Sequence, residues 1–589
     1  MENKKTKIIS IASIIALALT LITATFAYFM AQTGEGKSTD IKINANTVDT
    51  LTFETGSALT LNLTQQNFAS GAGNQSGTTF AKAMLTANNK TNTATEHYYL
   101  YLNISDNSFV YSQDENTPEM LLIVKDASGN AITSITGLEY KTVTDGKGTS
   151  ISGFDITTKS GVITLFDNRE ITTTSSKTEQ WNITVTFVNY NADQSKNAGK
   201  TFGAKLIIQK ESTTWLSQYI ISQYTGTQGE NNLYYHDSSL ENGAGDNSYR
   251  YAGGDYVLTD AGKATGGTMM IGYSNSVTKA LIDFYCDNIK QYVGAGCSPS
   301  QTHYYLIKGD TTQYQTYNEA LNASVEKGYL TKDNVKNFVC FGSDVAPCPT
   351  ENLYRIIGVI EGKVKLIKWD YAKSSLLGIN GDFSQEYTRS YFSGEQGENP
   401  LSNSTYYWNN DTQTNTWSES KLNTVNLNTN FTTNIGTTWS NKIATTTWKV
   451  GGGTYANIYS SVPKTAYQCE LESSVTSTTY TAKIGLMYVS DYYYGASPSA
   501  WTLVGYNSDY TKSYASAKGE NWLYAGGWDW TISRVSNRSD AVFVVFSDGN
   551  VYGDYVYKGR NGLRPTFNLV SSVTYVSGSG TQSDPIIIG

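Results

Sequence analysis

Residues 8–30, IISIASIIALALTLITATFAYFM, form one uncharged and mostly apolar run directly behind Lys4, Lys5 and Lys7. A hydrocarbon core of roughly 30 Å is crossed by about 20 helical residues, so such a run either spans a membrane or is the apolar part of an export signal. The residues leave both open. Thr25 and Ala27 are small enough for cleavage before Tyr28, whereas the run exceeds the roughly 7–15 apolar residues usual in a signal, which favours a retained anchor. In either case the lysines hold the amino end on the cytoplasmic side and place the chain from Gln32 onward outside. Residues 1–31 are therefore expected to be a signal peptide or membrane anchor, with the rest on the extracellular face of the membrane or secreted.

At 589 residues the chain exceeds what one core serves, and three or four units are expected. With 44 Tyr, 52 Gly and only 9 Pro, the exported part reads as mainly β with some α, because aromatic and β-branched residues fit a pleated, half-buried surface. The net charge is −8, and no Lys/Arg cluster outside the amino terminus is long enough to follow a phosphate backbone, so nucleic acid is not an expected partner. The five cysteines form two close pairs and a remainder. In an exported chain Cys286 with Cys297, and Cys340 with Cys348, are expected to close disulfide loops. No His stands at metal-ligand spacing from them and no CxxC occurs, so no metal site is expected; Cys469 reads as a buried small hydrophobe.

From residue 40 to 210 short runs alternate apolar and polar positions: LTLNLTQ, HYYLYLNISD, MLLIVKDASGNAI, GVITLFDN, WNITVTFVNYN and FGAKLIIQK. This period-2 patterning, broken by turn residues at 126–130 and 145–148, predicts an antiparallel β-sandwich. Residues 211–350 read as a mixed helical and loop region carrying the disulfides. TTWLSQYIISQY and TYNEALNASVEKG are its expected helices, with Leu321 and Val325 on one apolar stripe of the second. A new domain, 351–589, opens with a hairpin in NLYRIIGVIEGKVKLIKW turning at Glu361-Gly362-Lys363. Its WSESKLNTVNLNTNF stretch reads as short helices, with Ser418 as cap and Glu419 in the first turn.

AYFMA behind the apolar run, joined to the strand-rich segment ending in WNITVTFVNYNADQSKNAGKTFGAKLIIQ, resembles the camelysin and TasA group over about residues 20 to 210. The resemblance implies an exported β-sandwich of Gram-positive bacteria, some members of which assemble into biofilm fibres. Protease activity is not carried over, since no HExxH is present and His97 stands alone in this region.

Nine of the eleven tryptophans lie in 351–589, and most read as core, Trp417, Trp439 and Trp448 among them. Trp528 and Trp530 flank Asp529 in NWLYAGGWDWTISRVSNRSD, and strand alternation puts both rings on one face. Together with VFVVFSDGNVYGDYVYKGRNGLRPTFNLVSS, this stretch resembles the end of a C-type-lectin-like domain. The matching positions are Gly526, Gly527, Trp528, Arg538 and Gly562-Leu563-Arg564, although the family's Ser before the Trp is absent. YRIIGV, IGLMYVSDY and the GLRP segment also resemble a surface module of gut Firmicutes. The resemblance implies an α+β C-type-lectin-like distal domain, for which Tyr524, Trp528, Trp530 and Arg538 are the candidate ligand contacts. Arg534, Arg538 and Arg564 read as internal partners before ligand clamps, and Asp548 with Asp554 as a hairpin turn before a calcium site.

The three histidines, His97, His236 and His303, are scattered and no GxSxG occurs, so no enzyme and no cofactor is expected; a carbohydrate-active enzyme with paired carboxylates is the weaker rival. The expected function is adhesion or ligand recognition on a bacterial surface. The expected partners are a host or bacterial surface glycan or protein, and the membrane through the N-terminal helix. The alternative is self-assembly into an extracellular fibre or matrix, as the TasA resemblance implies.

Overall fold

The computed structural model describes residues 49–589 apart from 69–70, 89–92, 115, 267–280, 291–297, 299, 316, 333, 389–401, 473–477, 505–519, 526, 547–548 and 560. The apolar run at 8–30, Cys297, Gly526 and Asp548 lie outside the described residues, and with them the expected anchor and the expected Cys286–Cys297 bridge. No helix among the described residues is long and apolar enough to cross a membrane. The chain is mainly β, built from several antiparallel sheets, and divides into two compact units, residues 1–213 and 214–589.

The strands of the first unit are β1 (Thr50–Thr55), β2 (Leu59–Asn62), β3 (Gln75–Thr86), β4 (Ala94–Asn107) and β5 (Met120–Asp126). They continue with β6 (Tyr140–Thr144), β7 (Ser150–Asp155), β8 (Gly161–Thr173), β9 (Ser176–Phe187) and β10 (Thr201–Gln209). One sheet runs β1-β3-β9-β5-β7-β6 and the other β2-β10-β4-β8. Alternation sends one face of each inward. Leu59 and Leu61 of β2 and Leu102 and Ile104 of β4 meet Leu122 and Val124 of β5 and Ile183 and Val185 of β9 in a single core. A polar bridge joins the two layers: the Trp181 indole donates to Tyr98 at 2.7 Å, and the Tyr98 hydroxyl and Arg169 Nε both donate to Glu179, each at 2.8 Å. The expected turns form as Asx loops. Asp126 Oδ1 accepts from the amides of Ser128 and Asn130, and Asp145 Oδ1 from those of Lys147 and Thr149.

The second unit does not break at residue 350 as the sequence reading expects. Its central sheet takes strands from both sides of that point: β11 (Leu233–His236), β12 (Ser248–Tyr251), β13 (Phe338–Cys340), β14 (Leu353–Ile360) and β15 (Lys363–Lys368). The order is β11-β12-β14-β15, with β13 also paired to β14, and Thr566–Asn568 and Ile484–Gly485 extend it beyond β15. β14 is buried along nearly its whole length, which its continuous apolar run allows. It turns into β15 through Glu361 and Gly362, both at positive φ, a two-residue turn that suits Gly and matches the strand twist. The expected helices appear as α1 (Leu216–Ser222) and α2 (Tyr317–Glu326); Leu321 of α2 is buried in a satellite core with Ile282, Phe284 and Tyr305. Cys340 and Cys348 are bonded, and Cys469 is a free, half-buried thiol rather than a buried one. Ser418 caps no helix. The capping role falls to Ser420, whose hydroxyl accepts from the Asn423 amide at the start of the π-helical turn Leu422–Phe431.

Seven of the nine tryptophans after residue 351 are buried, Trp408, Trp417, Trp439, Trp448, Trp501, Trp522 and Trp530. Trp408 is completely enclosed and its indole donates to the Thr531 carbonyl at 3.1 Å. Trp408→Ala is expected to cost about 3–5 kcal/mol, seen as a lower urea midpoint for the second unit while the transition of the first stays in place.

Candidate functional site

The strands β16 (Asp529–Arg534), β17 (Ala541–Val545) and β18 (Val551–Tyr555) form an antiparallel sheet in the order β16-β17-β18. Phe546 follows β17 and its amide donates to the Asn550 carbonyl ahead of β18. A short helix, Tyr455–Tyr459, lies against β18, started by Thr454 whose hydroxyl accepts from the Asn457 amide. Spacing of four residues puts Tyr455 and Tyr459 on one side of this helix, over the buried Phe543 ring. Gly553 makes the fit possible: a Cβ there would stand 2.4 Å from the Tyr455 ring.

These elements assemble half-buried rings into a continuous strip. Trp528 lies against Phe546 at 4.6 Å between centroids, Phe546 against Tyr552 at 4.7 Å, Tyr552 against Tyr459 at 6.2 Å, and Tyr459 against Tyr455 at 4.9 Å. Beyond Tyr455 the Arg538 guanidinium sits 5.0 Å over Tyr555, which stacks with the more exposed Tyr557 at 5.2 Å. Arg538 is neutralised by a two-pronged contact with Asp540, 2.9 Å on each branch, so the strip carries hydroxyls and ring faces but little net charge at this end.

Of the four candidate contacts, Trp528 and Arg538 lie on this strip, near opposite ends. Trp530 does not. It is completely buried, its indole donating to the Tyr406 carbonyl at 2.8 Å, and it belongs to the core. The two rings differ in burial: Trp530 is enclosed, whereas Trp528, one residue before the ladder that begins at Asp529, is half-buried and its carbonyl accepts from the Gly562 amide. Tyr524 is half-buried against the core in the turn after Trp522. Arg564 is an internal partner: its Nε is 2.6 Å from Asp529, and both are buried. Arg534 donates to the Gly451 carbonyl. Asp554 is buried with Lys558 3.0 Å away, and no cluster of three metal-ligating side chains occurs among the described residues. Tyr455, Tyr459, Phe546, Tyr552, Tyr555 and Tyr557 are additions that the sequence reading missed; YANIY and VYGDYVY carried the signal in their spacing.

Beneath the same unit lies a buried ionic cluster. Asp491, at the start of α3 (Val489–Tyr494), meets Lys365 at 2.6 Å and Arg250 at 3.3 Å, and its Oδ2 accepts from the Tyr488 amide at 2.9 Å. Arg250 also pairs with Asp246 at 2.7 Å. Burial raises the Asp246 carboxyl, but Arg250 and Ser248 outweigh it and hold the group at about 2. Burial and then Arg250 push His236 down to about 3, so its imidazole is neutral and its Nδ1 accepts from the Ala244 amide. Glu470 accepts from the amides of Val489 and Ser490 and from the Ser533 hydroxyl, yet burial dominates and pushes its carboxyl up to about 7.

Comparison of the chain with protein families, with curated proteins and with solved structures finds no match. The functional reading therefore rests on the strip and the cluster themselves.

Glu470 sets a pH dependence. Its folded pKa lies above its ordinary 4.5, so the stability it contributes is complete below about pH 4.5 and is lost as pH rises through about 7. Between pH 5 and pH 8 this group is expected to withdraw up to about 3 kcal/mol of stability from the second unit, opposed by His236, whose lowered pKa returns stability as pH rises toward its ordinary 6.5. In calorimetry the melting temperature of Glu470→Gln is expected to rise relative to that of the natural chain between pH 5 and pH 8.

Proposed function

We propose that this chain is an extracellular surface protein whose second unit recognises a ligand along the strip Trp528, Phe546, Tyr552, Tyr459, Tyr455 and Tyr555. The observation that carries the reading is the continuity of the half-buried rings from Trp528 to Tyr455 over one sheet and its flanking helix. Rigid aromatic side chains give large contact area at little entropic cost, and tyrosine hydroxyls both donate and accept. A row with its one arginine already neutralised suits a neutral ligand that has apolar faces and many hydroxyls. A surface glycan fits that description better than a charged polymer or a strongly acidic peptide. The C-type-lectin-like motif resemblance at Trp528 and Gly562-Leu563-Arg564 points the same way, and the amino-terminal apolar run supplies export and a tether.

Fibre assembly through an open sheet edge is the second reading, and the first unit argues against its longest edge as the joint. β8 carries Asp167, Arg169 and Glu170, and its pairing with β4 is interrupted where Asn168 takes positive φ. Charges and a bulge on an edge strand oppose strand addition.

Binding on a glycan and surface-protein array, followed by titration of each hit, tests the reading. Replacing Trp528 and Tyr552 together by Ala is expected to weaken the glycan hit roughly thirtyfold, on the order of 1 kcal/mol for each ring, with the near-ultraviolet dichroism of the core retained. Glycan binding unchanged by the double variant would remove the strip from the site, and filaments formed by the purified protein would favour assembly.

A further inference from the structure

Lys365 Nζ stands 2.6 Å from Asp491 Oδ2 with both side chains almost wholly buried, 6 % and 2 % exposed. The aromatic rings of Tyr488 and Trp448 lie 4.7 and 5.8 Å from the nitrogen. Burial lowers the affinity of Lys365 for its proton, with Asp491 opposing, so the free amine is more accessible here than in water. The carboxyl is held for attack. Arg250 Nη1 points at Oδ1 from 3.3 Å, and Oδ2 is the oxygen that faces Lys365 and the Tyr488 amide. A third buried acid, Glu470, is bound at the same helix start through the amides of Val489 and Ser490 and interacts electrostatically with both partners.

From this juxtaposition we propose that Lys365 and Asp491 become joined by an intramolecular amide bond between Nζ and Cγ, a covalent cross-link between β15 and the start of α3. The reaction is a condensation and needs no oxidant, reductant or outside group. The ammonium passes one proton to Oδ2 of Asp491. The freed electron pair on Nζ forms the bond to Cγ while the carbonyl pair moves onto Oδ1, where Arg250 faces the developing negative charge. Oδ2 takes a second proton from nitrogen, the Cγ–Oδ2 bond breaks, and one water leaves. Ammonium plus carboxylate has become amide plus water.

The surroundings favour the product. Two buried charges are costly to keep out of water, and the amide replaces both with a neutral group. The remaining charges stay balanced, since Arg250 keeps Asp246 and Glu470 is held toward its neutral form by burial. Orientation is supplied by the fold, because β15 and α3 place the reacting atoms together from positions 126 residues apart.

Peptide mapping of the full chain tests this directly. After reduction, denaturation and tryptic digestion, residues 364–368 are expected to run joined to residues 484–512, one water lighter than the two peptides together and uncut after Lys365. Fragmentation of that species places the bond at 365 and 491. Lys365→Arg is expected to abolish the joined species, a readout that does not depend on how well the variant folds. Recovery of both peptides unlinked from the natural chain, with cleavage after Lys365, would leave an ion pair alone and overturn the proposal. So would a mass deficit that persists in the Lys365→Arg variant.

Discussion

Asp491 is the point on which the second unit is tied together, because one buried carboxylate there faces Arg250 from β12, Lys365 from β15 and the Tyr488 amide at the start of α3. Removing one member of a buried ionic set strands the others, at a cost of about 3–5 kcal/mol. The three elements therefore have to arrive together. Arg250 and Asp491 are separated by 241 residues, so this requirement draws the first part of the unit onto the last. Arg355 repeats the pattern on β14, with both guanidinium branches on Asp255 at 2.6 and 2.8 Å and Nε on Asn337. Buried arginines answered by aspartates from remote segments are what make residues 214–589 one body where the sequence suggests two.

How much could be read from the residues follows from the same contrast. In the first unit each sheet has one wet face, so alternation shows in HYYLYLNISD and WNITVTFVNYN, and the loops announce themselves through Asp126 and Asp145. The β14–β15 hairpin was legible because Glu361-Gly362 is a strong local signal and its flanking runs are long. The break at 350 was misplaced because β11, β12 and β13 are three or four residues each, too short to show a period, and β12 meets β14 through the distant pairing of Tyr249 and Arg250 with Val359 and Gly358. Pairing of that kind is set by buried charge and packing that no local window contains.

The candidate contacts divide by burial. Trp528 stands one residue before β16 and is half-buried against Phe546, while Trp530, two residues on, is enclosed. The rings that continue the strip come from Tyr455 and Tyr459, some seventy residues before Trp528, and from β18 after it. Among 44 tyrosines only the spacing in YANIY and VYGDYVY marked these few, and their meeting around Gly553 belongs to the fold.

The tryptophan-rich composition of the second unit is thus mostly a matter of the interior. An indole has one donor, and one backbone carbonyl satisfies it: Trp408 uses Thr531, Trp448 uses Ala482, Trp501 uses Ala496, Trp522 uses Tyr251 and Trp530 uses Tyr406. Each such bond fixes a large ring deep in the core with its polar atom paired. A phenol is less easily finished, because its oxygen can donate and also accept, and half-burial at the surface leaves room for a second partner. Tyr455, Tyr552 and Tyr555 are half-buried at this sheet and its flanking helix. On the proposed reading, recognition falls to the tyrosines, and Trp528, half-buried against Phe546, joins them.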